Sequence, residues 1–436
     1  MWYNDAVFYQ IYPLGLCGAL DAPRDKQPRI KKILNFIPHL KKLGVTAVYL
    51  GPVFASDFHG YDTEDFERVD ERLGTNEDLA AVVSEFHKNG IRVILDGVFN
   101  HVGRNFPQFA DIREHGAQSP YCGWFNISFD GNTAYNDGFW YEGWEGHYEL
   151  VKLNLSNPDV RNYLYGVIAD WVKEYDIDGL RLDVAYLLPD YFLSDLRSHT
   201  DQLKPEFFLL GEVLGGDYNR LLADDKLHSV TNYECRKGLY SSFQSMNLFE
   251  IGYSLNRQFG NDPWTLYRGK HLLSFVDNHD VDRVASLLQD QNQLVPLYGL
   301  MFGMPGIPCV YYGSEWGVKG TKHDGSDRDL RPAFDKPDWN DLTDWISKFA
   351  HAHTSSDALC NGSYRQVLQT NKQLIFERKT DAERVLVAIN ASNEPFHADF
   401  NAECGQAVDL VSGELHDFGA GSDLEPYCVH YWKCEQ

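Results

Sequence analysis

Apolar and polar positions switch repeatedly between two periods along this chain, and that rhythm predicts its architecture. Residues 7–12 are a short apolar run suited to a buried strand. Ile30, Ile33, Leu34 and Ile37 then recur at helical spacing, Pro38 starts a further helical turn and Gly44 stops it. Residues 45–50 read as a second buried strand. Thr75-Asn-Glu-Asp78 has the form of a capping box, and Leu79, Val82, Val83 and Phe86 are the stripe of the helix it opens. Residues 91–95 are the third strand. From 102 to 155 the rhythm breaks into a stretch rich in Trp, Tyr, Gly and Asn. A structureless loop of that length is uncommon in a compact domain, so an inserted subdomain is expected. Asn157-Pro158 restarts a helix lined by Val160, Leu164, Val167, Ile168 and Trp171. Strands ending at Asp183 and Glu212 follow, then strands near 229–232, 272–276 and 306–312. Eight strand candidates separated by helices predict an α/β fold, a closed (β/α)8 TIM barrel of parallel strands. After a last helix around 339–353, alternation at 373–378 and 384–389 predicts a C-terminal all-β domain. The expected division is a barrel from 1–101 and 156–357, an inserted subdomain at 102–155 and a C-terminal β-sandwich domain at 358–436.

Composition narrows the function classes. The 436 residues accommodate one large domain and a smaller one. A net charge of -24 argues against nucleic acid and against an anionic membrane surface as partners. Nowhere do 18 apolar residues run together, so no spanning helix is expected. The first residues lack the basic start and unbroken apolar run of a secretory leader, which predicts a cytoplasmic protein. The eight cysteines are scattered without a CxxC pair, the usage of a reducing compartment; Cys428 and Cys434 are spaced so that pairing is neither required nor forbidden. An aromatic content of 14% suits a ligand with apolar faces and a hydroxylated rim, such as a sugar.

Asp183 closes the run Asp178-Gly-Leu-Arg-Leu-Asp183, and Glu212 closes Phe207-Phe-Leu-Leu-Gly-Glu212. In a parallel barrel the C-terminal ends of the strands converge on one mouth, where the chemistry is done. Two acids there, one ionised and one protonated, are what cleavage of a glycosidic bond requires. The plain alternative is that each acid caps the helix after it.

Four segments stand at expected strand ends: Asp-Gly-Val-Phe-Asn-His at 96–101, Gly-Leu-Arg-Leu-Asp-Val-Ala at 179–185, Leu-Leu-Gly-Glu-Val at 209–213 and Phe-Val-Asp-Asn-His-Asp at 275–280. In this order and spacing they resemble the α-amylase superfamily of retaining glycoside hydrolases, over essentially the whole chain. His59-Gly-Tyr-Asp-Thr63 and Val151-Lys-Leu-Asn154 resemble the cyclomaltodextrinase, neopullulanase and maltodextrin-glucosidase group. The resemblance implies that Asp183 is the nucleophile, Glu212 the acid and base, and Asp280 a grip on the hydroxyls of the distorted sugar, with His279 beside it. It implies a donor in His101, a stacking face in Tyr61, and contacts to the next sugar from Asp327 and Arg331. Arg181, two residues before Asp183 and so on the same strand face, is expected to hold it ionised with a lowered pKa. The implied partner is an α-glucan oligosaccharide, with cleavage of α-1,4 bonds, and α-1,6 bonds as a further option, in maltooligosaccharides or cyclodextrins. Glucosyl transfer, endo-attack on starch and silent carbohydrate binding are the alternatives.

The chain also departs from that pattern. Tyr186 and Leu187 stand where many relatives carry Lys-His, and Val213 stands where neopullulanase-type members carry a bulky aromatic. With the first strand expected to begin at about Val7, the dimerisation module that those enzymes carry ahead of the barrel is not expected, and the sequence leaves oligomeric state open. Without a DxDxDG loop, calcium has no support, and neither a metal ligand nor a cofactor is expected. The aromatic cluster at 139–144 is expected to be the insertion's own core.

Overall fold

The structure, a computed structural model, describes residues 1–323, 325–419 and 421–435. Eight parallel strands form the central sheet: β1 (Phe8–Ile11), β2 (Ala47–Leu50), β3 (Arg92–Gly97), β4 (Gly179–Leu182), β5 (Phe208–Gly211), β6 (Ser229–Val230), β7 (Leu273–Ser274) and β8 (Ile307–Tyr311). β1 pairs with both β2 and β8, and a parallel bridge from Thr231 to Leu273 joins β6 to β7, which closes the barrel. Strand alternation sorts the side chains. Phe8, Ala47, Tyr49, Ile94, Phe208, Leu210 and Ile307 form one cluster inside the barrel, while Val48, Leu50, Val93, Leu95, Leu180 and Leu209 belong to the larger core beneath the helices. Gly179 begins β4 where a Cβ would collide with the Phe208 carbonyl oxygen.

The helices begin and end where local chemistry directs. The Thr75 side chain accepts from the Asp78 N–H and the Asp78 carboxylate accepts from the Thr75 N–H, a complete capping box on the helix Asn76–Lys88. Asn157 caps the helix Pro158–Tyr175, with its side chain accepting from Asp159 N–H. The expected first helix differs: Arg29–Phe36 is a 3₁₀ helix, and the α-helix is Ile37–Leu43. Pro38 has no N–H for the Leu34 carbonyl, which takes the Ile37 N–H instead and tightens the turn.

The insertion contains a three-stranded antiparallel sheet of His101–Gly103, His147–Lys152 and Gly143–Trp144. It also contains the helix Pro107–His115, whose buried apolar residues, Phe109 and Ile112, are too few to show a period. Phe109, Phe125, Phe139 and Tyr141 pack edge to face as its core.

Beyond the helix Asp341–Thr354, a six-stranded antiparallel sheet contains β9 (Ser363–Gln369), β10 (Gln373–Lys379), β11 (Arg384–Asn390), β12 (Gln406–Asp409), β13 (Leu415–Asp417) and β14 (Val429–Cys434), in the order β9-β10-β11-β14-β12-β13. Val385, Val387, Ile389 and Tyr431 join the core shared with the barrel helices; Leu386, Ala388 and Trp432 face the two-stranded pair Phe396–Ala398 and Ser422–Leu424. Among the described residues no helix is long and apolar enough to cross a membrane.

Candidate active site

Strand alternation carries the barrel's inward rows up to its mouth. Ile94 is followed two residues later by Asp96, Arg181 by Asp183, and Leu210 by Glu212, so apolar filling gives way to charge where the strands end. The hub is the Arg181 guanidinium, 2% exposed. Its Nη1 donates to Asp183 Oδ1 at 2.7 Å and to Asp96 Oδ1 at 2.9 Å, and its Nη2 lies 2.8 Å from Glu212 Oε1. Glu212 Oε2 accepts the Val184 N–H at 3.0 Å. Val184 adopts a left-handed conformation, φ 40° and ψ 45°, uncommon for a β-branched residue. Strain immediately after Asp183 is thus tied to the placing of Glu212. Among the described residues no hydrogen bond reaches Asp183 Oδ2, and His101 Nε2 lies 3.9 Å from it.

Both histidines are neutral donors. Burial lowers the pKa of His101 and of His279 to about 3. The Asn100 amide donates to His101 Nδ1 (3.1 Å), which leaves the proton on Nε2, and that atom is buried without a partner. The Gln10 amide donates to His279 Nδ1 (2.8 Å), so His279 Nε2 carries the proton toward the Tyr61 hydroxyl oxygen and Asp280 Oδ2, the latter at 3.0 Å. Tyr61 stacks on the His279 ring at 5.5 Å and donates to Asp96 Oδ2 at 3.1 Å, where Tyr49 also donates at 2.8 Å. The Asp62 carboxylate holds the loop before Tyr61 by accepting the Phe58, His59 and Gly60 N–H groups. Arg331 Nη2 donates to Asp280 Oδ1 (3.1 Å) and Asp327 Oδ2 (3.0 Å).

The acids differ from expectation in one respect. Arg181 was expected to lower the pKa of Asp183; instead burial pushes Asp183 well above the carboxylate range, with Arg181 opposing and Glu212 and Asp96 adding to the rise. One buried guanidinium faces three carboxyls and cannot balance three negative charges. Burial likewise raises Glu212, again opposed by Arg181. For Asp280 burial is outweighed by His279 and Arg331, with Arg181 and Lys322 behind them, and its pKa falls.

These groups border a cleft of about 670 Å³ at the mouth, lined by Tyr61, His101, Asp183, Glu212, Asp280, Asp327 and Arg331. Arg181 lies beneath it and His279 behind it, so all nine residues singled out in the sequence converge. Others come as additions: Trp144 and His147 from the insertion, Tyr186, Tyr233 and Lys322. Trp144 divides the 139–144 cluster, for Phe139 and Tyr141 are core while Trp144 faces the cleft. No sequence signal marks Tyr233 or Lys322. Tyr186 donates to Glu145 Oε1 at 3.2 Å and so bridges barrel and insertion across one side of the cleft.

Comparisons with known proteins agree with this architecture. A model of the α-amylase catalytic domain matches residues 21–358. A cyclomaltodextrinase of a Bacillus species is 30% identical over 441 residues, covering 94% of this chain and 75% of that protein. An intracellular maltogenic amylase of Bacillus subtilis is 31% identical over 340 residues, 73% of this chain and 56% of the relative. Among solved structures, a cyclic α-maltosyl-(1→6)-maltose hydrolase from Arthrobacter globiformis in complex with that sugar is 27% identical, with TM-score 0.83 over 99% of each chain.

Proposed function

The chain belongs to the α-amylase family of glycoside hydrolases, and from that premise we propose that it cleaves α-glucosidic bonds of maltooligosaccharides or cyclodextrins with retention of configuration. The observation that carries this reading is the pair of acids on one guanidinium at the floor of the cleft, with Arg181 engaging Asp183 through Oδ1 and His101 Nε2 3.9 Å from Oδ2. Asp183 Oδ2 attacks the anomeric carbon while Glu212 protonates the departing oxygen; a water then enters, gives its proton to Glu212 and releases the α-product. Burial raises the pKa of both acids, which favours retention by Glu212 of the proton that acid catalysis needs. His101 Nε2–H, Asp280 and Arg331 bind hydroxyls of the same sugar, Tyr61 flanks it, and Asp327 with Arg331 reaches the next one. Arg181 holds both acids in position, and His279 orients Tyr61 and Asp280.

The reading extends to α-1,6 bonds, since the Arthrobacter relative is a hydrolase of a cyclic sugar containing a (1→6) linkage and small Val184 and Val213 flank the acids here. The relative with an intracellular name and eight cysteines outside any disulfide support a cytoplasmic location. The test is a time course on maltotriose, cyclodextrin, pullulan and sucrose, with NMR of the first anomer formed. Glucose and maltose appearing as α-anomers support the proposal. Initial β-product overturns retention, longer chains identify a transferase, and no turnover identifies a binder.

A further inference from the structure

A second chemistry-bearing cluster lies in the C-terminal domain, on the turn that leads into β14. Glu425, Cys428 and His430 offer a carboxylate oxygen, a sulfur and a ring nitrogen, all within 4.8 Å of one another. The backbone builds this trio. Cys428 and His430 are two residues apart on entry to the strand and share a face. Tyr427 between Glu425 and Cys428 has φ 55°, a left-handed turn that folds Glu425 back, and Cys428 N–H donates to the Glu425 carbonyl at 3.4 Å. The turn is anchored: Tyr427 N–H donates to Ser392 O at 3.0 Å, and its hydroxyl donates to the Asp290 carboxylate on the barrel.

The second observation lies behind His430. Its Nδ1 bonds Asp409 Oδ2 at 2.9 Å. Asp409 is buried and fixed in turn, accepting from the Val411 and Tyr431 N–H groups and the Ser412 hydroxyl, each at 3.0 Å. The imidazole also stacks on Trp432 at 5.1 Å. With Nδ1 given to a buried carboxylate, Nε2 is the nitrogen left for a ligand, the arrangement that orients metal-bound histidines. A sulfur, nitrogen and oxygen set is borderline-soft, right for zinc and wrong for calcium, which takes six or more oxygens. The side chains of His430 and Cys428 are partly open to solvent, so an ion can reach them and water can take the fourth position.

We propose that Glu425, Cys428 and His430, oriented by Asp409, form a site for a zinc-class divalent cation that cross-links the last turn of the C-terminal domain. It is separate from the catalytic cleft and independent of its reading.

The test uses the full chain, stripped of metal and titrated with Co²⁺ and then Zn²⁺. One equivalent of Co²⁺ produces a thiolate-to-metal charge-transfer band and intense tetrahedral visible bands, and Zn²⁺ displaces both. Zn²⁺ also protects Cys428 from alkylation and raises Tm. Asp409→Asn weakens Co²⁺ binding by about 10- to 100-fold. Cys428→Ser loses the charge-transfer band. Its persistence in Cys428→Ser places the metal elsewhere, for instance on the Cys404 and Cys434 thiols 2.8 Å apart, and overturns the proposal. So does a wild-type chain that shows no thiolate band, with Cys428 equally alkylated with and without Zn²⁺; that measurement needs no variant to fold.

Discussion

At the scale of single residues, the active site concentrates cost as well as chemistry. Three buried carboxyls surround Arg181, so Arg181→Ala leaves them unpaired and is expected to cost about 3 to 5 kcal/mol, read as a large fall in Tm. Asp183→Asn should act in the opposite sense on stability while removing nearly all turnover. A carboxyl whose folded pKa is raised contributes stability that is fully present below its unfolded pKa and lost as pH rises through the folded value. The Asn side chain has no such loss. The Tm of Asp183→Asn should therefore exceed wild type by about 1 to 3 °C at neutral pH, with a gap that narrows toward pH 4. A gap that widens on acidification contradicts the assignment of burial as the dominant influence. The same upward shift should place the acid limb of kcat/KM above the ordinary carboxylate range, with Glu212 setting the alkaline limb. Glu212→Gln should slow poor leaving groups far more than activated aryl glycosides; equal losses on both would remove Glu212 from the acid role.

Among the elements, the insertion and the loop after β4 border the cleft, and on the proposed reading they bear on which substrates fit. The hairpin Gly143–Trp144 with His147–Lys152 brings Trp144 to the cleft, its ring 5.9 Å from that of His101 and 5.4 Å from that of His147. Trp144→Ala should raise KM for maltotriose by about tenfold, equivalent to about 1.4 kcal/mol, with a smaller effect on kcat. Unchanged KM would return Trp144 to the insertion's core. Tyr186 closes one side by its bond to Glu145. Tyr186→Ala opens that side, so the ratio of kcat/KM on soluble starch to that on maltotriose should rise, and a constant ratio would show that the bridge does not select.

For the molecule as a whole, the cleft lies between barrel and insertion, bordered on one side by the Tyr186–Glu145 bridge, and Tyr186 and Leu187 stand where the family resemblance implies Lys-His donors for a long leaving group. Each missing hydrogen bond is worth about 0.5 to 1.5 kcal/mol. Under one set of conditions kcat/KM should therefore favour maltotriose and cyclodextrin over soluble starch. A tenfold preference for starch would mean an ordinary endo-acting enzyme.

The repeating strand-helix rhythm and the acids at strand ends were legible in the sequence because period, caps and strand termini are local properties: the Thr75 capping box, the Asn157 start and the convergence of Asp96, Arg181, Asp183 and Glu212 follow from alternation within each strand. What lay beyond it depended on distant segments meeting. The helix Pro107–His115 buries too few apolar residues to show a period, and Trp144 separates from its aromatic neighbours only when the hairpin docks against the barrel. Arg181 beside Asp183 reads locally as a pair that lowers a pKa; only the closed barrel adds Asp96, Glu212 and the exclusion of water, and desolvation then outweighs the nearby cation. The sequence by itself determined which side chains at the ends of the barrel strands reach the mouth. The tertiary structure decided how many charges share it and, through burial, in which direction their pKa values move.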